Sequence, residues 1–390
     1  MRWIKYLKSS FIFLLVFFGA LELFSLVLTK NRFLLFNDTP ALYLKNRVND
    51  DENWRTEKSE WGAWHKYNHS FLHEKSCFSV IYKTNEVGAR DDSFNLTSNE
   101  NINKSKYVLL GDSFAEGVGV EKSKISESIL EKLLNVDILN FGVGGSVGPV
   151  QYEMIYNSLS RKYPHDGVII YFLPSNDFSD NDYQYWVDSG ATYFKYSGNK
   201  NLERYRPYYR KNGSDGYDIF YPVNGLKRDQ WDYVDPSLGF FLKRFVIDNF
   251  WFSNVLLTIK QVVKSDLKFN PGLVKREYSG YFDATADQQK AAIYFMRRLV
   301  KSINKPVTLV VIPRGEDFIR LSNGEKKENQ FWYKEFIKLE KESGMKFIDL
   351  ASHKPNNVNS LFLNCDGHWS EFGNEWAATQ IASSMRAKSN

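Results

Sequence analysis

The chain is poor in the residues that build metal sites and disulfide frameworks. Its 390 residues include two cysteines and six histidines, and the cysteines lack the spacing of a zinc site. The formal net charge of +5 is small for this length, so we expect no nucleic-acid partner. No internal repeat with a period of about 20–50 residues is present, which excludes solenoids and propellers. We therefore expect no metal, no other cofactor, and at most one disulfide, between Cys77 and Cys365.

One long apolar run is present, at residues 11–28, and it is interrupted only by Glu22 and Ser25. This length is about the minimum for crossing a bilayer. Basic residues precede the run, which predicts a single-pass anchor with a cytoplasmic N-terminus and a periplasmic or extracellular body. A cleaved signal peptide is the alternative, but no small-x-small cleavage site follows the run. Because a charge at this depth is costly, Glu22 is expected to meet a partner helix or to lie near the interface.

The sequence indicates three parts: a cytoplasmic tip and anchor over 1–32, a lead-in or stalk over 33–104, and a main domain over 105–390. Within the lead-in, His65, His69 and His73 recur every four residues, a spacing that stacks side chains on one face of a helix. A metal site there needs a further ligand and a real helix. Aromatic residues are interleaved with the histidines and indicate ordinary packing instead.

From residue 106 onward, apolar strand-like runs alternate with helical patterns. We predict strands at 108–110, 136–141, 167–173, 307–312 and 347–350, and helices at 125–134, 150–159, 288–303, 331–341 and from about 375. This alternation predicts an α/β fold, a three-layer α/β/α arrangement with a doubly wound parallel five-stranded sheet. A segment rich in tyrosine, at about 178–285, interrupts the pattern and is expected to form an insertion or cap, helical over 240–263. Aromatic rings with polar tips suit sugars but also pack well at half-wet surfaces.

Three residues near strand ends have the chemistry of an activated hydroxyl. Ser113 follows the first strand of the sheet, where open α/β sheets place their ligands. An activated serine needs a base, and the base needs an orienting carboxylate. His368 follows the last strand, and Asp366 stands two residues before it. An ordinary strand-to-helix turn, with Asp112 or Ser113 as the N-cap, is the plainer interpretation of the first stretch.

Two further strand ends offer hydrogen-bond donors for an oxyanion. The glycine-rich stretch 140–148 offers backbone N–H groups, because glycine lets a reacting group approach closely. Asn176, after the third strand, offers a side-chain amide. A flexible loop is the alternative interpretation for the first stretch, and a helix cap or turn for the second.

Together these stretches resemble the motifs of the SGNH/GDSL hydrolase family, in their order along the chain. The blocks are Gly111-Asp112-Ser113-Phe114, Asn140-Phe141-Gly142-Val143-Gly144-Gly145, Ser175-Asn176-Asp177 and Asp366-Gly367-His368. The final spacing, Asp-x-His, resembles a variant in envelope-associated relatives, including alginate O-acetyltransferase-like proteins. The anchor and the lead-in stretch 85–90 also resemble such membrane-anchored relatives.

The resemblance implies an ester-cleaving or acyl-transferring enzyme that needs no metal. Ser113 matches the nucleophile, His368 the base and Asp366 the orienting acid. The backbone N–H groups of Ser113 and Gly145 and the side chain of Asn176 match the oxyanion donors, with Gly142 as the alternative glycine. This chain departs from the family in having Pro174 two residues before the asparagine, where glycine is usual, and in the short Asp-x-His spacing.

Other interpretations stay open at this point. Ser146 stands in a Gly-x-Ser-x-Gly pattern between a strand and a helix, which makes it a competing nucleophile. The same glycines suggest a dinucleotide loop, but Val147 occupies a position that needs glycine or alanine. A non-catalytic glycan-binding or scaffold module on the same frame is a third alternative.

From these observations we expect a membrane-anchored serine esterase of the cell envelope. The resemblance suggests that it removes or transfers small acyl groups, such as acetyl, on carbohydrate or another small ester. An O-acetyltransferase of polysaccharide modification is the closest alternative. The sequence names neither the acyl donor nor a membrane-protein partner.

Overall fold

The structure is a computed structural model. It describes residues 2–30, 55–58, 60–75, 77–94, 104–145, 147–188, 207–213, 216–221, 278–363 and 366–387, together with single positions and short stretches between 238 and 259.

The described strands are numbered in chain order. They are β1 (Arg55–Lys58), β2 (Gly62–His65), β3 (Ser70–Lys75), β4 (Phe78–Lys83), β5 (Lys106–Leu110), β6 (Asp137–Asn140), β7 (Gly167–Phe172), β8 (Tyr208–Asn212), β9 (Gly216–Phe220), β10 (Val307–Val311) and β11 (Lys346–Asp349).

The described helices are numbered in the same way. They are α1 (Arg2–Lys30), α2 (Ser113–Glu116), α3 (Ser126–Leu134), α4 (Pro149–Ser158), α5 (Pro174–Asp177), α6 (Tyr183–Asp188), α7 (Gly280–Asp283), α8 (Ala286–Ser302), α9 (Gly315–Ser322), α10 (Phe331–Ser343) and α11 (Glu371–Arg386).

A five-stranded parallel sheet in the order β11-β10-β7-β5-β6 forms the centre of the body, which confirms the predicted fold class. All six residues of β7, the central strand, are buried, as its continuous apolar sequence requires. Helices α3 and α11 pack on one face of the sheet, and α4, α8 and α10 on the other. Each face therefore has its own apolar core, which gives the three layers.

The order of the strands fixes where a site can form. The chain runs from β5 outward to β6, and then crosses back to β7 on the other side of β5. The loops after β5 and β7 therefore leave the sheet in opposite directions and open a crevice between them. Such a switch point at the carboxyl ends of the strands is the usual ligand site of an open α/β sheet.

The lead-in packs on the main domain through β2, the residue before it and a later turn. Trp61, Trp64 and Ala89 belong to the same apolar core as β5 and β7. The helix that a metal site of His65, His69 and His73 would need is not formed, because His65 ends β2 and His73 lies in β3. A spacing of four residues here spans a strand, a turn and a second strand. Among the described residues, no group of three or more His, Cys, Asp or Glu side chains is placed to hold a metal ion.

The lead-in also contains one of the two cysteines, Cys77. Cys77 is disulfide-bonded and packs against the apolar cluster of Phe78, Val80 and Tyr82. The chain has one other cysteine, Cys365, which lies outside the described residues. An intrachain disulfide of Cys77 therefore has a single candidate partner, next to Asp366.

Helix α1 contains one stretch, residues 8–28, that is long and apolar enough to cross a membrane, a test that a signal sequence also passes. The carboxylate of Glu22 accepts hydrogen bonds from the backbone N–H groups of Trp251 and Phe252. The ring of Phe18 meets that of Phe252 edge-on, with centroids 5.3 Å apart. The costly charge in the apolar helix is thus bonded to the interrupting segment of the body.

The interrupting segment is described only in part. Strands β8 and β9 form a hairpin, and Tyr209 and Tyr217 of this hairpin pack against Phe295 of α8, with ring centroids 6.0 Å apart in both pairs. These aromatic residues therefore have a packing role. Most of the helix predicted over 240–263 lies outside the described residues.

The last helix begins at Glu371 rather than at about 375, because Ser370 caps it by accepting a hydrogen bond from the N–H of Gly373.

Gly142, after β6, lies in direct contact with α2. A Cβ atom at this position would be 2.4 Å from the backbone nitrogen of Glu116 and 2.6 Å from the carbonyl carbon of Ala115. Backbone atoms cannot move aside as a flexible side chain can. Glycine at 142 is thus a condition for the loop after β6 to pack on the turn after β5.

We expect Gly142→Ala to lower the free energy of unfolding by about 1–3 kcal/mol, the usual cost of overpacking. Gly315→Ala is the matched control, because a Cβ there would meet no atom closer than 4.0 Å. Urea denaturation followed by tryptophan fluorescence measures both. Equal stability of the two variants would contradict the close approach described here.

Candidate active site

Ser113 is the first residue of the short helix α2, directly after β5. The preceding residue, Asp112, is the N-cap, and its Oδ1 accepts a hydrogen bond of 2.9 Å from the backbone N–H of Phe114. Ser113 itself is half-buried, whereas Asp112 and Phe114 are buried. The capping interpretation of the sequence therefore applies to Asp112, and the turn presents the hydroxyl of Ser113 at the edge of the sheet.

The imidazole of His368 lies between that hydroxyl and a carboxylate. Its Nε2 is 2.7 Å from Oγ of Ser113, and its Nδ1 is hydrogen-bonded to Oδ1 of Asp366. With the ring proton on Nδ1, facing the carboxylate, Nε2 is left to accept the proton of the serine hydroxyl. The structure thus brings together Ser113, His368 and Asp366, which are 255 residues apart at the widest step.

The short Asp-x-His spacing has a simple geometric basis. Oδ1 of Asp366 accepts a hydrogen bond of 3.1 Å from the backbone N–H of His368 as well as one from its ring. An aspartate that bonds the backbone two residues ahead forms a compact turn. The same carboxylate therefore fixes the loop and orients the imidazole, and the departure from Asp-x-x-His leaves the contact intact.

Aromatic packing holds this loop against the serine turn. The ring of Phe114 lies 5.2 Å from that of His368 and 5.0 Å from that of Trp369, between centroids. Trp369 is buried. The side chain of His368 keeps 24% of its surface exposed, against 5% for Asp366. The carboxylate is therefore shielded, while the imidazole and hydroxyl face solvent, where a substrate can reach them.

The loop after β6 presents a series of backbone N–H groups. Gly142 donates to Oδ1 of Asn140 at 2.8 Å, Val143 donates to the carbonyl oxygen of Gly111 at 3.2 Å, and Gly144 donates to the carboxylate of Glu116. The next N–H, that of Gly145, has no hydrogen-bond partner among the described residues. Of the two glycines considered from sequence, Gly145 is thus the one with a donor still available.

The amide of Asn176 points back toward the serine turn. It lies in α5, which begins at Pro174, and a proline in the first turn of a helix is well tolerated because its missing N–H would be unpaired there. Nδ2 of Asn176 donates to Oδ2 of Asp112 at 3.4 Å. The turn therefore forms with proline in place of the glycine usual in the family.

Sequence reasoning missed the residues that support the serine turn from the lead-in. Arg90 is buried, and its guanidinium donates to the carbonyl oxygens of Glu116, Gly117 and Val120. Its Cζ also lies 3.5 Å from the ring centroid of Tyr82. The only sequence signal for Arg90 is the 85–90 stretch, which resembles that of membrane-anchored relatives.

A second missed contact reaches the glycine-rich loop. Buried His65 places Nε2 3.7 Å from Oε1 of buried Glu116, and the other oxygen of Glu116 accepts from Gly144. The carboxylate of Glu116 therefore connects His65, at the end of β2, to the loop that carries Gly145. Ser146, the competing nucleophile, lies outside the described residues.

Buried carboxyl groups surround the site. Burial raises the pKa of Asp112 to about 6, and the hydrogen bond from Phe114 and the positive charge of a protonated His368 oppose that effect. Burial also raises the pKa of Asp177, whose oxygens accept hydrogen bonds from Tyr152 and from the N–H of Leu173. The hydrogen bonds of Asp177 thus stabilise the fold around α5, whereas Asp112 caps the helix that begins at Ser113.

Because the pKa of Asp112 is raised in the folded protein, the free energy of unfolding depends on pH. The folded chain holds this proton more tightly than the unfolded chain, whose carboxyl titrates near 3.8, so ionisation between about pH 4 and 6 destabilises the fold. Asp112→Asn keeps the capping oxygen and removes the ionisation. We expect its stability relative to the unsubstituted protein to rise by about 2 kcal/mol from pH 4 to 7, measured by urea denaturation. A difference that stays constant with pH would contradict this.

No family model and no curated protein matches the chain. Solved structures do match it. A putative lipolytic protein of the G-D-S-L family from Desulfitobacterium hafniense shares 12% identity at a TM-score of 0.34, over 72% of this chain and 99% of its own. A lipase/acylhydrolase from Enterococcus faecalis shares 12% identity at 0.36, over 73% and 96%. A carbohydrate esterase family 2 enzyme from Corynascus thermopiles shares 12% identity at 0.36, over 73% and 66%. The chain is thus similar in fold to lipolytic proteins and carbohydrate esterases of the kind that its four motifs resemble.

Proposed function

We propose that the protein is a serine ester hydrolase with Ser113 as nucleophile, His368 as general base and Asp366 as the group that orients the imidazole. The observation that supports this most strongly is the continuous hydrogen-bonded series from Oγ of Ser113 through His368 to Asp366. It lies at the carboxyl edge of a parallel sheet, beside the switch point of the topology.

The first step follows from these contacts. Oγ of Ser113 attacks the carbonyl carbon of the ester, and its proton passes to Nε2 of His368. The resulting imidazolium is stabilised by the carboxylate of Asp366. His368 then gives the proton to the departing alkoxide, which leaves as an alcohol, and the acyl group stays on Ser113 as an ester.

The second step returns the enzyme to its starting state. A water molecule gives its proton to Nε2 and attacks the acyl carbon, and the tetrahedral intermediate expels Oγ, which takes the proton back. A sugar hydroxyl in place of this water gives acyl transfer instead of hydrolysis. Both outcomes use the same residues.

The developing oxyanion needs donors, and three are proposed: the N–H of Ser113, the N–H of Gly145 and the amide of Asn176. The N–H of Gly145 has no other partner among the described residues, and that of Ser113, as the first residue of α2, has none within the helix. The Asn176 amide is bonded to Asp112, next to the nucleophile. Each donor can therefore turn to an oxyanion without breaking a strong bond.

The substrate class is the finer part of the proposal. A small acyl group such as acetyl, carried by envelope carbohydrate, is what the motif resemblance and an exported body suggest. The open side of the site, at Ser113 and His368, suits an ester on a large carrier.

Kinetics on p-nitrophenyl acetate and acetylated sugars test the proposal. We expect Ser113→Ala and His368→Ala to lower kcat/KM by at least about a thousandfold, since the triad works as a unit. Ser146→Ala is the matched control and should retain most activity. Loss of activity in Ser146→Ala with retention in Ser113→Ala would contradict the assignment. Absence of any ester cleavage or transfer by the unsubstituted protein would favour a glycan-binding module.

We also propose that residues 8–28 are a retained single-pass anchor, with the body on the periplasmic or extracellular side. The hydrogen bonds of Glu22 to Trp251 and Phe252 support retention, because they bind the helix to the body through a charge that would otherwise be costly in lipid. A signal peptide that is cleaved off would not need hydrogen bonds to the body of the protein.

The intact mass of the protein extracted from membranes tests retention. We expect a mass that includes residues 2–30 and a protein that stays with the membrane after a carbonate wash. A mature N-terminus after residue 28 would show cleavage and contradict the anchor.

A further inference from the structure

Arg314 lies at the same edge of the sheet as the proposed catalytic residues. It follows β10, the neighbour of β7, and precedes α9. Its backbone N–H donates to Oδ2 of Asp317 at 2.8 Å, and Asp317 is buried. The main chain of Arg314 is therefore fixed in place, and its long side chain extends from a rigid base.

The guanidinium of Arg314 lies against the loop between Asp366 and His368. A Cβ atom on Gly367 would be 1.9 Å from Nη2 of Arg314 and 2.9 Å from its Cζ. The guanidinium thus occupies the space that a side chain at 367 would need, one residue from the imidazole. Its charge also reaches the serine turn, since it is among the groups that oppose the effect of burial on the pKa of Asp112.

Four other arginines of the described body have hydrogen-bond or ionic partners. Arg90 donates to backbone carbonyls, Arg297 and Arg298 contact glutamates, and Arg320 contacts Asp283 and Glu325. The guanidinium of Arg314 has no hydrogen bond or ion pair with any described residue, although the residue is half-buried. A partly dehydrated guanidinium without acceptors is unfavourable, so a bound ligand that supplies them gains the full benefit of charge-assisted hydrogen bonds.

We propose that Arg314 binds an anionic group of the substrate, a carboxylate or phosphate carried close to the ester that Ser113 attacks. The planar fork of arginine matches two oxygens of such a group. This inference rests on the proposed function and narrows its substrate class to acylated acidic molecules. Arg314 is assigned to binding and specificity, and the proton transfers remain with His368.

The kinetics of three acetyl esters test the assignment: an acetylated neutral glycoside, the matching acetylated uronic acid and the matching acetylated sugar phosphate. We expect Arg314→Gln to raise KM for an anionic ester by about 10- to 100-fold, the range for a charged hydrogen bond. Values of kcat, and kcat/KM for the neutral ester, should stay within about twofold. Arg314→Lys should recover part of the affinity. The ester with the larger change in KM identifies carboxylate or phosphate.

Arg297→Gln is the matched control, because it removes the same charge from a paired surface arginine on α8 and should leave KM unchanged. Equal losses on neutral and anionic esters in Arg314→Gln would indicate a structural role and overturn the inference, as would no change on any ester.

A binding measurement separates this inference from the proposed function. Titration calorimetry of the intact acetylated uronic acid and sugar phosphate into Ser113→Ala, with and without Arg314→Gln, needs no turnover. We expect the second substitution to weaken binding of an anionic ester at least tenfold. Unchanged binding would overturn the role of Arg314 even if Ser113 is the nucleophile, and an inactive protein that shows the difference would overturn only the catalytic proposal.

Discussion

The hydrogen bond between Ser113 and His368 depends on two distant parts of the chain meeting at one edge of the sheet. The order of the strands brings the end of β5 next to that of β7. The helix that follows His368, α11, packs against α3 on one face of the sheet. Phe114 and Trp369 then lock the two loops together through ring contacts. This aromatic contact and the backbone hydrogen bond from Leu363 to His368 hold the imidazole beside the serine turn.

The serine turn is held from two further directions. From the loop after β6, Gly142 packs on α2 without room for a side chain, which is why the loop can expose the N–H of Gly145 nearby. From the lead-in, Arg90 satisfies the carbonyl oxygens at the end of α2, and His65 contacts Glu116. These contacts make the segment before β5 part of the support of the site, since they replace solvent around otherwise unpaired backbone groups.

Much of the fold could be predicted because each strand is indicated by its own short stretch of sequence. The apolar run of β7 is buried on both sides, and the strands before Ser113 and after Lys305 end at residues typical of turns. Ser113 could be singled out because it closely follows β5, whereas Asp366 and His368 lie well beyond the end of β11 and were marked by their spacing and by the motif that they resemble. The histidine spacing was ambiguous, because a spacing of four residues occurs both on a helical face and across a strand–turn–strand unit.

The rest could not be predicted because it depends on contacts between parts distant in sequence. Arg90 and Glu116 are ordinary charged residues by any local pattern, and only the packing of the lead-in on α2 gives them a role. Arg314 is similar: nothing in its neighbourhood marks it, and its position over Gly367 comes from the pairing of β10 with β7. The start of α11 is different, because Ser370 is a local capping signal for a helix that begins at Glu371.

The most direct test of the account is to identify the residue that a serine-directed fluorophosphonate modifies. The probe reacts with a serine hydroxyl only when a base and an oxyanion site activate it. Peptide mass spectrometry of the labelled, digested full-length protein locates the adduct. We expect a single adduct on Ser113 that disappears in His368→Ala. An adduct on Ser146, or labelling of Ser113 that persists without His368, would contradict it.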